Sequence, residues 1–169
     1  MEDKEKIITE EKAWQRMARL CARKEYCIED IRRKLRKLNL SDKDIESVLV
    51  KLQKRSYVDD GRFARGFIRD KLYLNKWGKR KIEMALKQKK ISPEVIEAAF
   101  SELPDGADLE SLQPLLEKKW RTVKAQSVYE KRSKVIRFAL GRGFPMDDVL
   151  RCFDKMQIDD DNKDDSWSF

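Results

Sequence analysis

Residues Ile31–Leu52 read IRRKLRKLNLSDKDIESVLVKL, and Ile82–Leu103, 51 positions on, read IEMALKQKKISPEVIEAAFSEL. A third stretch, Val135–Met156, reads VIRFALGRGFPMDDVLRCFDKM after a further 53 positions. Six apolar positions coincide: Ile31, Ile82 and Val135; Leu35, Leu86 and Ala139; Leu40, Ile91 and Phe144; Ile45, Ile96 and Val149; Leu49, Phe100 and Phe153; Leu52, Leu103 and Met156. Within each copy they recur at helical spacing, which puts them on one face of each helix. Self-similarity at a fixed period is the signature of tandem units, each too small to bury its apolar face alone.

Each copy reads as two helices joined by a tight turn and preceded by a longer helix. Ser41 is placed to cap the helix that buries Ile45, Val48, Leu49 and Leu52, with Asp44 three residues on. Ser92 does the same in the second copy, where Pro93 takes the first helical position and gives up an N–H that has no helical partner there. Pro145 is expected at that position in the third copy, with Asp147 and Asp148 in the first turn, where the helix dipole favours acids. The preceding helices carry Trp14, Met17 and Cys21; Phe63, Phe67, Ile68 and Leu72; and Leu115, Leu116, Trp120 and Val123. The expectation is an all-α fold of three tandem three-helix, helix-turn-helix-like repeats in an elongated, curved row. The repeats span 13–58, 59–103 and 104–156, between an acidic segment 1–12 and an acidic tail 157–169. Asp59 or Asp60 is expected to cap the first helix of the second repeat.

Composition narrows the chemistry. The chain has 169 residues, 41% of them charged, with six glycines, four prolines and three cysteines. So few turn residues exclude an all-β sandwich or barrel. No apolar run approaches the roughly 18–20 residues of a membrane span, and the charged start is no secretory signal, so a cytoplasmic protein is expected. Histidine is absent, which removes the commonest general base and metal ligand. Cys21, Cys27 and Cys152 form no CxxC pair, and no phosphate-binding loop, dinucleotide turn or nucleophile elbow is present. The reading is a protein without cofactor or metal and not an enzyme.

The formal charge is +8. With the segments 1–12 and 157–169 at −2 and −4, residues 13–156 carry +14. A body this basic binds polyanions by releasing counterions. Its cations gather around the second helix of each repeat: Arg32, Arg33, Lys34, Arg36 and Lys37; then Lys76, Lys79, Arg80, Lys81, Lys87, Lys89 and Lys90; then Lys131, Arg132, Lys134, Arg137 and Arg142. Such recurrence suggests a basic track suited to a long, repetitive anion. Trp14, Trp77 and Trp120 read as packing residues before base-stacking platforms, and Cys21 and Cys152 as small core residues.

Three motifs in this order carry a family resemblance: Tyr57-Val58-Asp59-Asp60-Gly61-Arg62-Phe63-Ala64, Trp77-Gly78-Lys79-Arg80-Lys81-Ile82 and Phe138-Ala139-Leu140-Gly141-Arg142-Gly143-Phe144. Over about residues 13–156 the chain resembles the RecX family, bacterial regulators of the recombinase RecA. It departs from the family pattern at Ala139, where leucine is expected, and at Lys90-Ile91, where Gly-Ile is common. The resemblance implies tandem three-helix repeats and a monomer lying along the groove of a RecA filament on single-stranded DNA. There it would lower ATP hydrolysis, strand exchange and coprotease activity. The candidate RecA- and DNA-binding site is the basic track read from the recurrent cations: Arg32, Arg33, Arg36, Lys37, Lys76, Lys79, Arg80, Lys81, Lys87, Lys131, Arg132, Lys134, Arg137 and Arg142. Single- and double-stranded DNA are expected as weak partners without sequence preference. The competing reading is a stand-alone helical DNA-binding module of helix-turn-helix type.

Overall fold

The computed structural model describes residues 8–158. The first seven residues and the aspartate-rich tail from 159 onward, both noted above, lie outside the described residues. Among the described residues nine α-helices follow one another: α1 (Glu10–Arg23), α2 (Ile28–Arg36), α3 (Asp42–Lys54), α4 (Asp60–Arg69), α5 (Lys79–Gln88), α6 (Pro93–Ser101), α7 (Ala107–Thr122), α8 (Val128–Gly141) and α9 (Met146–Lys155). A π-helical segment, Asp70–Leu74, continues α4. None of the described helices is long and apolar enough to cross a membrane. Among the described residues no group of Cys, Asp and Glu could hold a metal ion.

The eighteen repeat positions named above are all buried or half-buried. The caps follow the sequence with one correction. The Ser41 and Ser92 hydroxyls accept from the backbone N–H groups of Asp44 (3.2 Å) and Val95 (3.3 Å). Pro145 is not the first helical residue but the cap itself, with extended backbone at ψ 151°. Asp59 caps α4 by accepting from the Arg62 N–H at 3.0 Å. Asp60 instead turns to another helix and accepts the Ile28 N–H at the start of α2, at 2.8 Å.

One turn recurs in all three repeats. Asn39, Lys90 and Gly143 occupy the same repeat position and all have positive φ, at 57°, 56° and 95°. Left-handed backbone after a helix lets the next N–H groups reach back to the orphan carbonyls of the last turn. Ile91 N–H accordingly donates to Leu86 C=O (3.3 Å), and Phe144 N–H to Ala139 C=O (3.1 Å).

The chain forms two compact units. Among the described residues one holds 8–66 together with Leu86–Phe100, and the other Phe67–Ala85 together with 101–158. In the first, α1 and α2 pack on α3, burying Ala13, Met17, Ile31, Leu35, Ile45, Val48, Leu49 and Leu52. In the second, α7 packs on α8 and α9 around Leu112, Leu116, Val135, Phe144, Val149 and Phe153. There the Ser111 hydroxyl donates to Leu72 C=O at 3.0 Å and ties the π segment to α7. At about 25 cal/mol per Å² of apolar area removed from water, each fully buried leucine or phenylalanine contributes about 1.5–3 kcal/mol.

Candidate functional site

In the first unit the cations of α2 are largely neutralised from within. Glu29, only 6% exposed, is approached by Arg32 Nε at 3.6 Å, Arg33 Nε at 3.5 Å and Lys90 Nζ at 3.7 Å. Arg32 also pairs with Glu46. Asp30 receives Lys89 Nζ at 3.0 Å. Burial opposes ionisation of Asp30, but hydrogen bonds from Lys89 and Cys27 outweigh it and hold the carboxyl below its ordinary range. Lys34 lies over the Tyr26 ring at 5.2 Å. Arg36 on α2, Lys37 just after it and Lys87 on α5 are exposed and make no ion pair among the described residues. A cavity of about 390 Å³ opens between Ile28, Glu29, Arg32, Arg36, Asp60 and Lys90.

The second unit gathers its cations around aromatic rings. Gly78 N–H donates to Arg142 C=O at 2.7 Å and Arg80 N–H to Gly143 C=O at 3.0 Å, so the α8–α9 turn caps the start of α5. That joint brings together two motifs that are far apart in sequence. On one side Trp77, half-buried, has Lys81 Nζ 4.3 Å and Lys71 Nζ 4.7 Å from its ring centre. On the other, the Arg142 guanidinium lies 5.2 Å from the Phe138 ring and reaches Asn75 C=O at 3.0 Å. Lys119 lies 4.8 Å from the same Phe138 ring. Lys76 stands at φ 56°, a left-handed conformation that side chains rarely adopt. Lys79 pairs with Glu83 at 4.0 Å on its own helix and is exposed, like Arg80.

The remaining track residues sit on α8. Lys131 lies over Trp120 at 4.7 Å and Arg132 over Phe153 at 5.2 Å. Lys134 pairs with Glu130 at 3.0 Å and donates to Lys124 C=O at 2.7 Å. Arg137 Nε donates to Ser133 C=O at 3.4 Å. Trp14 and Trp120 are packing residues, set edge-on to Tyr57 and Phe153 at 6.2 and 6.0 Å. Trp77, half-buried like the other two, is set between two lysines, whereas Trp14 and Trp120 each meet one cation, Arg55 at 4.6 Å and Lys131 at 4.7 Å.

Sequence reading thus named Lys76, Lys79, Arg80, Lys81 and Arg142, which the second unit assembles, but overlooked Lys71 and Lys119. It also passed over Tyr73 and Leu74, which stand 41% and 78% exposed beside buried Leu72. The available signal was the stretch Lys71–Lys81, KLYLNKWGKRK, which holds five cations and no acid within it.

A family model described as RecX, second three-helix domain, matches residues 59–99, and one described as RecX, third three-helix domain, matches residues 107–153. The regulatory protein RecX of Vibrio parahaemolyticus serotype O3:K6 is 31% identical over 131 residues, covering 77% of this chain and 82% of that protein. The regulatory protein RecX of Legionella pneumophila (strain Corby) is 30% identical over 146 residues, covering 86% and 95%. The crystal structure of RecX from Lactobacillus salivarius superposes with a TM-score of 0.81 at 20% identity, over 89% of this chain and 97% of that one. A second crystal structure, of regulatory protein RecX, gives 0.79 at 23%, over 86% and 73%.

Proposed function

This chain belongs to the RecX family, and from that premise we propose that it is a negative modulator of the RecA recombinase. It binds the RecA filament on single-stranded DNA along the filament groove and lowers ATP hydrolysis, strand exchange and coprotease activity. The observation that carries this reading is the run of five cations without an acid from Lys71 to Lys81. Around it Trp77, Phe138 and Arg142 add aromatic and cationic surface. Such a surface suits a repetitive polyanion because each neutralised phosphate releases counterions. Arg36, Lys37 and Lys87 in the first unit, and Lys131, Arg132, Lys134 and Arg137 in the second, extend the contact. Arg32 and Arg33 contribute less, since Glu29 already neutralises them. The protein acts as a monomer in the cytoplasm, needs no cofactor, and performs no catalysis of its own.

The test is a titration of RecA ATPase on single-stranded DNA. Suppression at amounts well below the RecA concentration is expected. The triple variant Lys79→Glu, Arg80→Glu, Lys81→Glu should lose most of that suppression while its helical circular dichroism stays unchanged. Full inhibition by the triple variant would remove the site assignment. A preferred duplex sequence, with base discrimination of about 1–3 kcal/mol per arginine contact, would instead establish the helix-turn-helix reading.

A further inference from the structure

We infer that the π-helical segment and the turn after it, Tyr73 to Trp77, form a contact for the unstacked bases of single-stranded nucleic acid; the inference rests on the filament-binding reading and specifies its chemistry. A π segment closes its hydrogen bonds one residue later than an α-helix, here Asn75 N–H to Asp70 C=O at 3.2 Å, and Trp77 N–H reaches still further back, to Lys71 C=O at 2.9 Å. Ala64, Ile68 and Leu72 form a buried stripe at four-residue spacing, and the two residues that follow, Tyr73 and Leu74, turn away from it and face solvent. A leucine 78% exposed next to a tyrosine 41% exposed gives this segment an apolar pair open to solvent beside its cations.

The surroundings select the occupant. Lys71, Lys76, Arg80 and Lys81 lie in the same stretch with no acid among them. An apolar protein surface docking on Tyr73 and Leu74 would have to desolvate these charges without neutralising them. Single-stranded nucleic acid meets both demands, since its bases offer apolar faces and its phosphates lie beside them. A duplex keeps those faces stacked inside and presents mainly phosphate and sugar to such a segment. Aromatic rings with basic neighbours are the usual platform for sequence-tolerant single-strand binding.

The test compares the full chain with the double variant Tyr73→Ala, Leu74→Ala and with Tyr73→Phe, by fluorescence anisotropy of a short labelled oligothymidylate and of a duplex of equal length. The double variant is expected to lose about tenfold in single-strand affinity, to keep its duplex affinity, and to keep the salt dependence of binding. Tyr73→Phe, which retains the ring, should bind as the parent does. Equal losses on both nucleic acids, or no loss on the single strand, would overturn the inference. Unchanged single-strand binding with lost inhibition of RecA would assign the segment to a protein contact, leaving the filament reading intact. Failure of the parent itself to inhibit RecA would remove that reading separately.

Discussion

Gly78 and Gly143 are in contact through their backbones, with no room for a side chain on either. A β-carbon built on Gly78 would stand 2.4 Å from both the carbonyl carbon of Gly143 and the nitrogen of Phe144. One built on Gly143, whose φ is 95°, would stand 2.5 Å from Lys81 Cβ and from Lys81 N. The glycine-then-basic motif at Trp77–Ile82 and the Arg-Gly-aromatic motif at Phe138–Phe144 are therefore two halves of one joint. Its glycines serve packing, and its cations are what the joint presents.

Substituting Gly78→Ala should consequently cost about 3 kcal/mol, the upper range for forcing atoms into a filled site. Because the two glycines share one space, Gly78→Ala combined with Gly143→Ala should cost less than the sum of the single changes. Gly66→Ala supplies the control. It lies inside α4 with nothing within 4 Å of its added carbon, and should gain about 0.5–1 kcal/mol from helix propensity. Urea midpoints of the variants decide the matter, and a Gly78→Ala protein as stable as the parent would show that the joint is loose.

How much of this was legible beforehand differs by feature. Ile31, Leu35, Ile45, Leu49 and Leu52 revealed their helices because burial follows spacing, and Ser41 and Ser92 revealed the helix starts because a hydroxyl cap is local chemistry. The local pattern left the cap of α4 open between Asp59 and Asp60, because a carboxylate at a helix start can have two helices within reach, and only the tertiary fold decides which it serves. The cationic site was half legible. Lys79, Arg80 and Lys81 announce themselves as a run, whereas Lys71 and Lys119 matter only through the rings they meet in space. Nothing in the local pattern marks the π segment that carries Tyr73 and Leu74.

Lys90 occupies a left-handed position that its repeat partner Gly143 fills without strain, and its φ of 56° is unfavourable for a side-chain-bearing residue by about 1–2 kcal/mol. Lys90→Gly should relieve this, offset in part by the greater freedom of glycine in the unfolded chain. The lost contact with Glu29, at 3.7 Å from a mostly exposed lysine, is worth little. Lys90→Ala loses the same contact but keeps the strain. The glycine variant should therefore be more stable than the alanine variant by about 1 kcal/mol in denaturant unfolding; the reverse order would mean that the turn tolerates a β-carbon at no cost.

The three thiols should separate by reactivity. Cys27 and Cys152 are fully buried, and burial pushes them up to about 12 and about 11 respectively. Cys21 is half-buried and raised, first by burial and then by the nearby Glu25. Since the thiolate is the reactive form, a disulfide reagent at about pH 8 should modify Cys21 first and the other two only as the protein unfolds. Rapid modification of all three thiols in the native protein would contradict the packing of α2 and α9.

Asp108, in the first turn of α7, has a buried Oδ1 with no hydrogen-bond partner among the described residues. Burial first, and then the charge of Asp148, raise its pKa above the ordinary carboxyl value, while Lys79 pulls it down. A raised acid pKa means that the folded state holds the proton more tightly than the unfolded chain does. The contribution of Asp108 is therefore most favourable below about pH 4, near the unfolded carboxyl value, and is lost as the pH rises through the raised folded value. Asp108→Asn removes this dependence. Relative to the parent, the variant should gain stability as the pH is raised from about 3 to about 7, with most of the gain above the ordinary carboxyl pKa. Carboxyls with lowered values, Asp30 among them, destabilise both proteins equally toward acid and cancel in the comparison. Urea unfolding of both proteins across that range provides the measurement, and a stability difference independent of pH would mean that Asp108 ionises in the folded protein as freely as in water.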